Sequence, residues 1–297
     1  HAVNVHDKCG TELEILKTKQ WYIRVLDRKQ EFLDAVEEIT WYPAFMKKRL
    51  IHWIENLQWD WCISRQRHFG VPFPLWHCAA CRAVVLAAEK QLPVFPLTQQ
   101  PKKACSCGST KFVAESDVLD TWATSSLTPH LAMGWLEDPA AFAKKLPMTI
   151  RLQSHDIIRT WTFYTLVKSV YHHDTVPWKE IMISGFITMG GEKMSKSKGN
   201  VVDPLLVMDH YNADALRYWA AGGKLGEDMD YLEKDVQSGN KLLIKLWNAS
   251  RFISTHLTDY NGRKPQRLEC MDHWLLQKLN EVIEEATEAF DAYDYSK

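Results

Sequence analysis

The sequence lacks a strong excess of charge of either sign, an apolar run long enough to cross a bilayer, and a signal peptide. Its 297 residues carry 36 Lys+Arg and 37 Asp+Glu, for a formal net charge of -1. No global field therefore attracts nucleic acid, and any RNA contact must be a local patch. Because a membrane helix needs about 20 apolar residues, we expect no membrane partner. We also expect no DNA partner and a cytoplasmic location.

The composition is that of an ordinary globular protein, with 46% hydrophobic and 25% charged residues. The length suggests about two domains. The first residue is His1 and not methionine, which we interpret as the start of a fragment or of a processed chain.

A lysine-rich segment bracketed by glycines is the most distinctive feature of the sequence. Residues 190–200 read Gly-Gly-Glu-Lys-Met-Ser-Lys-Ser-Lys-Gly-Asn, directly after an apolar stretch, 181–189, that predicts a buried strand. A glycine-hinged loop with lysines and hydroxyls, just past a parallel strand, is suited to bind a polyanion. Three lysines alone would fit a solvated basic loop better than a binding site. The G-x-x-x-x-G-K-[ST] phosphate loop is absent.

Four of the seven cysteines form two close pairs, Cys78-x-x-Cys81 and Cys105-x-Cys107. This pattern predicts a metal in a reducing compartment rather than disulfides. Four thiolates would bind zinc in a structural role, since they leave no open coordination position. The second pair is tighter than the usual C-x-x-C, which strains chelation by both sulfurs, so zinc occupancy stays open. Three prolines predict a loop or a short hairpin over residues 82–104.

Hydrophobic periodicity and capping signals predict the other elements. The predicted strands are 20–26 and 148–152, and the predicted helices are 27–39, 44–56, 154–171, 205–221, 238–257 and 274–293. The helix over 44–56 is expected to bury Phe45, Leu50, Trp53 and Ile54 as an apolar stripe.

The string Lys-Met-Ser-Lys-Ser at residues 193–197 resembles the phosphate loop of the class I aminoacyl-tRNA synthetases. Residues 59–67 resemble the branch of that class that handles branched aliphatic amino acids. The stretches at 69–76 and 155–161, the latter reading His-Asp-Ile-Ile-Arg-Thr-Trp, resemble its valine-specific members of the archaeal type. The resemblance covers essentially the whole chain. It implies an α/β fold, the second half of a Rossmann-like nucleotide-binding domain with a zinc-knuckle insertion and the start of an α-helical bundle.

The resemblance also implies a division into four segments. Residues 1–58 would be the end of a connective insertion that returns from an editing domain absent from this chain. Residues 59–115 would be a connective segment with the zinc knuckle. Residues 116–222 would be the second half of the catalytic domain with the lysine loop. Residues 223–297 would begin the helical domain that binds the tRNA anticodon.

Site residues follow from the same resemblance. Those implied for valine are Trp122, Ile157 and Trp161 around the side chain, and Asp156 at the amino group or the ribose. Those implied for ATP with magnesium are Gly185 and Phe186 at the adenine, and Lys193, Ser195 and Lys196 as the catalytic residues of the phosphate loop. Those implied for zinc are Cys78, Cys81, Cys105 and Cys107. A pocket of stiff indoles would select valine by shape, which rejects only larger analogues.

The implied activity is ATP-dependent ligation of L-valine to tRNA-Val through valyl-adenylate. The attacking carboxylate is already ionised, so no general base is needed, and the lysines would stabilise the departing pyrophosphate. Because the chain contains no His-x-Gly-His motif, we do not expect it to form the adenylate alone at a useful rate. The alternative is a truncated synthetase-related protein that binds RNA or a protein partner. A zinc-ribbon adaptor would account only for residues 78–107.

Overall fold

The computed structural model describes residues 3–6, 9–263 and 265–297. Its helices are α1 Lys29–Glu37, α2 Lys47–Glu55, α3 Thr121–Ser125, α4 Thr128–Ala132, α5 Pro139–Lys145, α6 Phe163–His173, α7 Pro204–Tyr211, α8 Ala213–Ala221, α9 Glu233–His256 and α10 Cys270–Asp291. Its strands are β1 Tyr22–Ile23, β2 Thr40–Tyr42, β3 Trp61–Cys62, β4 Ser64–Arg65, β5 Leu75–Cys78, β6 Val84–Leu86, β7 Phe112–Ala114, β8 Val118–Leu119, β9 Met148–Ser154, β10 Trp178–Ser184, β11 Ile187–Met189, β12 Glu192–Lys193 and β13 Met229–Asp230.

A parallel sheet in the order β2-β10-β9 forms the centre of the fold. The central strand β10 buries Trp178, Ile181 and Ile183 completely, as a strand covered on both faces requires. Helices α1, α2 and α6 pack into the same core. Strands β9 and β10 are paired up to their last residues, Ser154 and Ser184, so their carboxyl ends lie side by side. In open parallel sheets this is the edge where ligands bind.

The strand predicted over 181–189 is divided into two strands that belong to different sheets. Strand β10 ends at Ser184, and β11 lies in a second sheet, β12-β11-β13, with β13 parallel to it. The division falls at Gly185, where the backbone of Glu227 approaches so closely that a Cβ would lie 1.9 Å from its carbonyl oxygen. The apolar run continues past this point, which is why periodicity alone missed the break.

The single helix predicted over 205–221 is wrong, because the chain forms α7 and α8 separately. Asn212 lies between them at a φ of +89° and its side-chain oxygen accepts a hydrogen bond from the backbone N–H of Ala215, which caps α8. Asparagine is among the few non-glycine residues that tolerate positive φ and that cap helices well. The prediction for 154–171 also needs correction, since residues 155–157 form a 3-10 turn and 158–162 a π-helical turn before α6.

The structure also differs from two predictions made for the N-terminal part of the chain. The strand over 20–26 is reduced to β1, because Asp60 Oδ1 accepts the N–H groups of Val25 and Leu26 at 2.8 and 3.1 Å and so diverts the chain from the ladder. Phe45 is 54% exposed and not part of the buried stripe. It belongs to a 3-10 turn before α2, which has a different periodicity from an α-helix.

A small antiparallel sheet, β6-β5-β7, carries the first cysteine pair. Strands β5 and β6 form a hairpin in which Trp76 faces Val85. Residues 82–104 thus contain one strand, β6, whose partner lies before Cys81, and continue as a loop with a 3-10 turn at Glu89–Gln91, so of the two alternatives predicted for this segment the loop is the one found. The long helices α9 and α10 begin five and four residues before their predicted starts. Within the described residues, none of the helices combines the length and apolarity needed to cross a bilayer.

Buried histidines between α4 and α6 predict a pH dependence of stability. His130 is fully buried and stacks on His173 at a centroid distance of 5.0 Å. Neither of its ring nitrogens has a hydrogen-bond partner among the residues described. Burial, and then the neighbouring His173 and His172, lower the pKa of His130 to about 4.

Since the pKa of an unfolded histidine is about 6.5, the unfolded chain binds more protons between pH 6.5 and pH 4. We therefore expect His130 to contribute about 3 kcal/mol of stability above pH 6.5, lost as the pH falls towards 4. Denaturant unfolding at several pH values measures this loss. In His130→Leu the loss over that window should be smaller than in the wild type. Equal losses would show that carboxylates, and not this imidazole, control acid stability.

Candidate functional site

Strands β11 and β12 with the loop that follows them, residues 187–200, form the lysine hairpin. It lies against the carboxyl end of β9. Lys193 Nζ is 3.3 Å from Asp156 Oδ2 and 3.5 Å from the ring centroid of Phe186. Both charged side chains remain about half exposed, so this ion pair adds little to stability. The contact does, however, bring together three residues that the sequence assigned to one ligand site.

The loop that follows is held by side-chain hydrogen bonds. Asn200 Oδ1 accepts the backbone N–H of Ser195 at 2.8 Å, and Asn200 Nδ2 donates to the carbonyl of Lys193 at 3.3 Å. Lys198 forms an ion pair with Glu192 at 3.1 Å. The ammonium group of Lys196 has no ion pair or hydrogen bond with any described residue and is exposed. The loop therefore presents one uncommitted cation on an ordered backbone.

Residues 226–231 fix the base of the hairpin. Asp230 Oδ1 accepts Thr188 Oγ1 at 2.9 Å and the backbone N–H of Gly191 at 3.2 Å. The backbone of β13 pairs with β11, and the N–H of Gly226 donates to Ile183 O at 2.8 Å. The turn before the lysines is thus connected to a segment 40 residues further along the chain.

Asp228 joins the same segment to the end of β9. Its Oδ1 accepts the backbone N–H of Phe186 at 2.7 Å and lies 3.3 Å from His155 Nε2. The N–H of Phe186, followed by His155, holds the pKa of Asp228 below its usual value. The imidazole of His155 also packs edge-on against the Phe186 ring at 4.4 Å. These contacts position Phe186 under Lys193.

The three residues predicted around valine pack against the main core. Trp161 is 7% exposed, stacks on Trp178 at 5.5 Å and donates from Nε1 to the carbonyl of Ser125 at 3.2 Å. The Arg151 guanidinium lies 3.9 Å from the Trp161 ring centroid. Trp122 and Ile157 are partly buried at the margin of the same core. Ile157 directly follows Asp156, Trp161 comes five residues after it, and Trp122 is supplied by α3. The valine-binding role of these three residues stays a prediction.

A cavity of about 630 Å³ opens beside Asp156 and Phe186. Its lining is shared by α2, the end of β9 and the π-helical turn, and consists of Arg49, His52, Trp53, His155, Asp156, Ile158, Arg159 and Phe186. Two predicted site residues therefore share a concave surface with two arginines that the sequence analysis did not single out.

The four cysteines come together at one point of the structure. Their sulfur atoms all lie within 4.8 Å of one another, with Cys78–Cys107 and Cys81–Cys105 both at 3.6 Å. A disulfide would require about 2.05 Å, whereas a zinc tetrahedron with bonds of about 2.3 Å has sulfurs about 3.8 Å apart. The backbone N–H of Cys81 is the main cause that lowers the pKa of Cys78 to about 6. The donor set fits zinc, and the C-x-C spacing does not prevent its two sulfurs from joining the cluster.

A partly buried carboxylate connects this cysteine knuckle to the rest of the molecule. Glu115 Oε2 accepts Trp21 Nε1 at 2.9 Å and lies 3.2 Å from His77 Nε2. Burial raises the pKa of Glu115, but the N–H groups of Asp117, Trp21 and His77 outweigh it and hold the pKa below its usual value. The carboxylate therefore fixes β5 against the strand region around residue 21.

Several of these residues escaped the sequence analysis. Asp228, Asp230 and Glu115 carry no motif, and their roles depend on partners 38 to 94 residues away. Trp53 was assigned to the core, yet it also lines the cavity. Among the residues that line the cavity, Arg159 was the one for which the sequence offered a signal, because it lies within the stretch 155–161.

Comparison with known proteins places these observations in context. A family model described as tRNA synthetases class I (I, L, M and V) matches residues 3–231. The chain is 46% identical over 303 residues to a valine–tRNA ligase of Thermoplasma volcanium, covering all of this chain and 38% of that protein. It is 44% identical to a valine–tRNA ligase of a Wolbachia species, covering 99% of this chain and 35% of that protein. The chain thus spans little more than a third of these relatives.

Solved structures show the same fold at lower identity. Methionyl-tRNA synthetase of Mycobacterium tuberculosis, in complex with methionyl-adenylate, superposes with a TM-score of 0.70 at 20% identity, covering 99% of this chain and 52% of that one. LeuRS of Agrobacterium radiobacter, in a ternary complex with tRNA and LeuAMS, gives a TM-score of 0.64 at 21% identity, covering 84% and 36%.

Proposed function

The chain belongs to the class I tRNA synthetases of the I, L, M and V group, and from this premise we propose that it is part of an ATP-dependent valine–tRNA ligase. The observation that carries the proposal is the contact between the lysine hairpin and the end of β9, where Lys193 meets Asp156. Valine is proposed as the amino acid because the relatives of about 45% identity are valine–tRNA ligases. Archaeal species supply several of them, which supports the archaeal-type assignment.

The proposed reaction is attack of the valine carboxylate on the α-phosphorus of ATP, which forms valyl-adenylate and releases pyrophosphate. Negative charge moves onto the leaving phosphates, so cations that are already in place lower the barrier. Lys196 is free to meet those phosphates, and Lys193 holds the base of the loop at Asp156. Magnesium would accompany ATP. Transfer of the valyl group to tRNA-Val completes the proposed activity, and the cytoplasm is the proposed compartment.

Zinc is proposed as a structural metal of the cysteine knuckle. Four thiolates complete a tetrahedron, so no position remains for substrate or water. The ion would hold the hairpin of β5 and β6 against the second cysteine pair. The segment boundaries at residues 58, 115 and 222 are proposed from the family resemblance, and the cysteine sheet and the hairpin fall within the segments expected to hold them.

The proposal predicts that Lys196→Ala lowers the rate of valine-dependent ATP–pyrophosphate exchange by about 100-fold in the full-length protein. Removing one preorganised group that stabilises developing charge commonly costs this much. Exchange of labelled pyrophosphate into ATP measures the step without tRNA. Lys90→Ala is the matched control, since Lys90 is an exposed lysine of the cysteine insertion.

The control should exchange at the wild-type rate. Full exchange by Lys196→Ala would remove the loop from the mechanism. Exchange by the wild type that depends on another amino acid would replace valine as the substrate, and absence of exchange would favour a protein that only binds RNA or a partner.

A further inference from the structure

The ammonium group of Lys193 lies on two residues that the sequence assigned to the ligand site. Its Nζ is 3.3 Å from Asp156 Oδ2 and 3.5 Å from the ring centroid of Phe186. A carboxylate and the face of an aromatic ring are also the groups with which proteins bind the cation of a ligand. Asp156 and Phe186 thus form an ammonium site, and in the free protein a side chain of the loop occupies it.

The ammonium site is held by contacts that do not involve Lys193. Asp228 Oδ1 accepts the backbone N–H of Phe186 at 2.7 Å, and the imidazole of His155 packs edge-on against the Phe186 ring at 4.4 Å. Both Asp156 and Phe186 line the cavity of about 630 Å³. The site would therefore keep its shape without the lysine, and a ligand can reach it from the cavity.

Lys193 is the cation that neutralises Asp156 in the free protein. Two other basic side chains at the cavity are engaged elsewhere, since His155 Nε2 lies 3.3 Å from Asp228 Oδ1 and Arg49 interacts electrostatically with the same carboxylate. In the described part of the chain, the side chain of Asp156 forms no hydrogen bond or ion pair other than the one with Lys193. A substrate ammonium and Lys193 would therefore compete for one carboxylate.

The ion pair between Lys193 and Asp156 is weak enough to exchange. Both side chains are about half exposed, and exposed pairs contribute little because water and salt screen them. Asp230 Oδ1 holds the backbone N–H of Gly191, two residues before Lys193. The turn is thus fixed, and only the flexible four-carbon side chain of the lysine has to move.

We propose that Lys193 competes with the amino acid: its ammonium occupies the ammonium site in the free protein, and the α-ammonium of the substrate displaces it. The inference rests on the proposed function, which assigns the loop and Asp156 to one reaction. A displaced Lys193 is free beside the loop that is proposed to bind the phosphates of ATP. Binding of the amino acid therefore releases a cation for the next step, whereas a ligand of the same shape without an ammonium leaves Lys193 paired.

Calorimetric titration of the full-length protein with L-valine, in the absence of ATP, tests the competition. We expect Lys193→Met to bind valine about tenfold more tightly than the wild type, the gain expected if the pair is formed in about nine of ten free molecules. Lys193→Arg keeps the competing cation and should bind valine as the wild type does. The hydroxy acid (S)-2-hydroxy-3-methylbutanoate should bind Lys193→Met no more tightly than the wild type, because it brings no ammonium to the carboxylate.

Lys198→Met is the matched control, because Lys198 is a lysine of the same loop that pairs with Glu192 at 3.1 Å, and its valine affinity should equal that of the wild type. Unchanged or weaker valine binding by Lys193→Met would overturn the inference. So would an equal gain in affinity for the hydroxy acid, which would show that Lys193 only fills space. Valine-dependent pyrophosphate exchange by the wild type judges the proposed function separately, so either conclusion can fail alone.

Discussion

Gly185→Ala is expected to lower valine-dependent pyrophosphate exchange by about 100-fold and to destabilise the protein by about 2 kcal/mol. The new Cβ would lie 1.9 Å from the carbonyl oxygen of Glu227 and 2.6 Å from the backbone nitrogen of Asp228. These are backbone atoms of the segment that holds the hairpin, so relief of the clash must move that segment. Overpacking costs about 1 to 3 kcal/mol, and a displacement of about 1 Å at a reacting group can cost about 100-fold in rate.

Exchange kinetics and denaturant unfolding measure the two effects. Gly222→Ala is the matched control, because Gly222 has a φ of -70° and a Cβ there would be 3.3 Å from its nearest neighbour, the carbonyl oxygen of Trp219. Its stability should stay within about 0.5 kcal/mol of the wild type. If Gly185→Ala exchanged as fast as the control, the close approach of residues 227–228 would have no part in positioning the loop.

Cys107→Ser is expected to reduce zinc affinity by more than about 100-fold. Loss of a residue that only hydrogen-bonds to a metal ligand already costs about 10- to 100-fold in affinity, and Cys107 would be a ligand itself. Elemental mass spectrometry should find one zinc ion per chain in the wild type. Because metal binding stabilises the folded form of such a knuckle, removal of zinc by a chelator should expose residues 82–104 to protease.

The matched control is Cys270→Ser, which changes an exposed thiol on α10 outside the cluster. It should keep both the zinc and the protease resistance of the wild type. A wild-type protein without zinc, but with a knuckle that resists protease, would show that the Glu115 contacts and the small sheet hold this region without a metal.

Local pattern was sufficient for the features that depend on neighbouring residues. The spacing of Cys78 and Cys81 predicted the cysteine cluster that the structure forms, and the order of residues 193–197 predicted the lysine loop, because in each case the pattern is carried by a few consecutive positions. The same holds for α9 and α10, whose periodic patterns are long enough to define a helix, although their starts were displaced by about one turn.

Features that depend on residues far away in the sequence could not be predicted from local pattern. Nothing near Asn212 in the sequence shows that its φ is positive, and an unbroken helix satisfies the same hydrophobic pattern. The end of β10 depends on Glu227, which comes 42 residues after Gly185. Asp228 resembles any exposed aspartate until parallel pairing brings it to the N–H of Phe186. Arg49 and Arg159 line the same cavity only because α2 packs against the π-helical turn.

The contacts of Asp230 have a mechanical consequence. The residue accepts the N–H of Gly191, and α9 begins three residues later, at Glu233. This 24-residue helix is about 36 Å long, and only two residues separate it from Asp230. The start of α9 and the turn that precedes Lys193 are therefore joined through Asp230, so a displacement of the start of this helix would reach the lysine hairpin through one short segment.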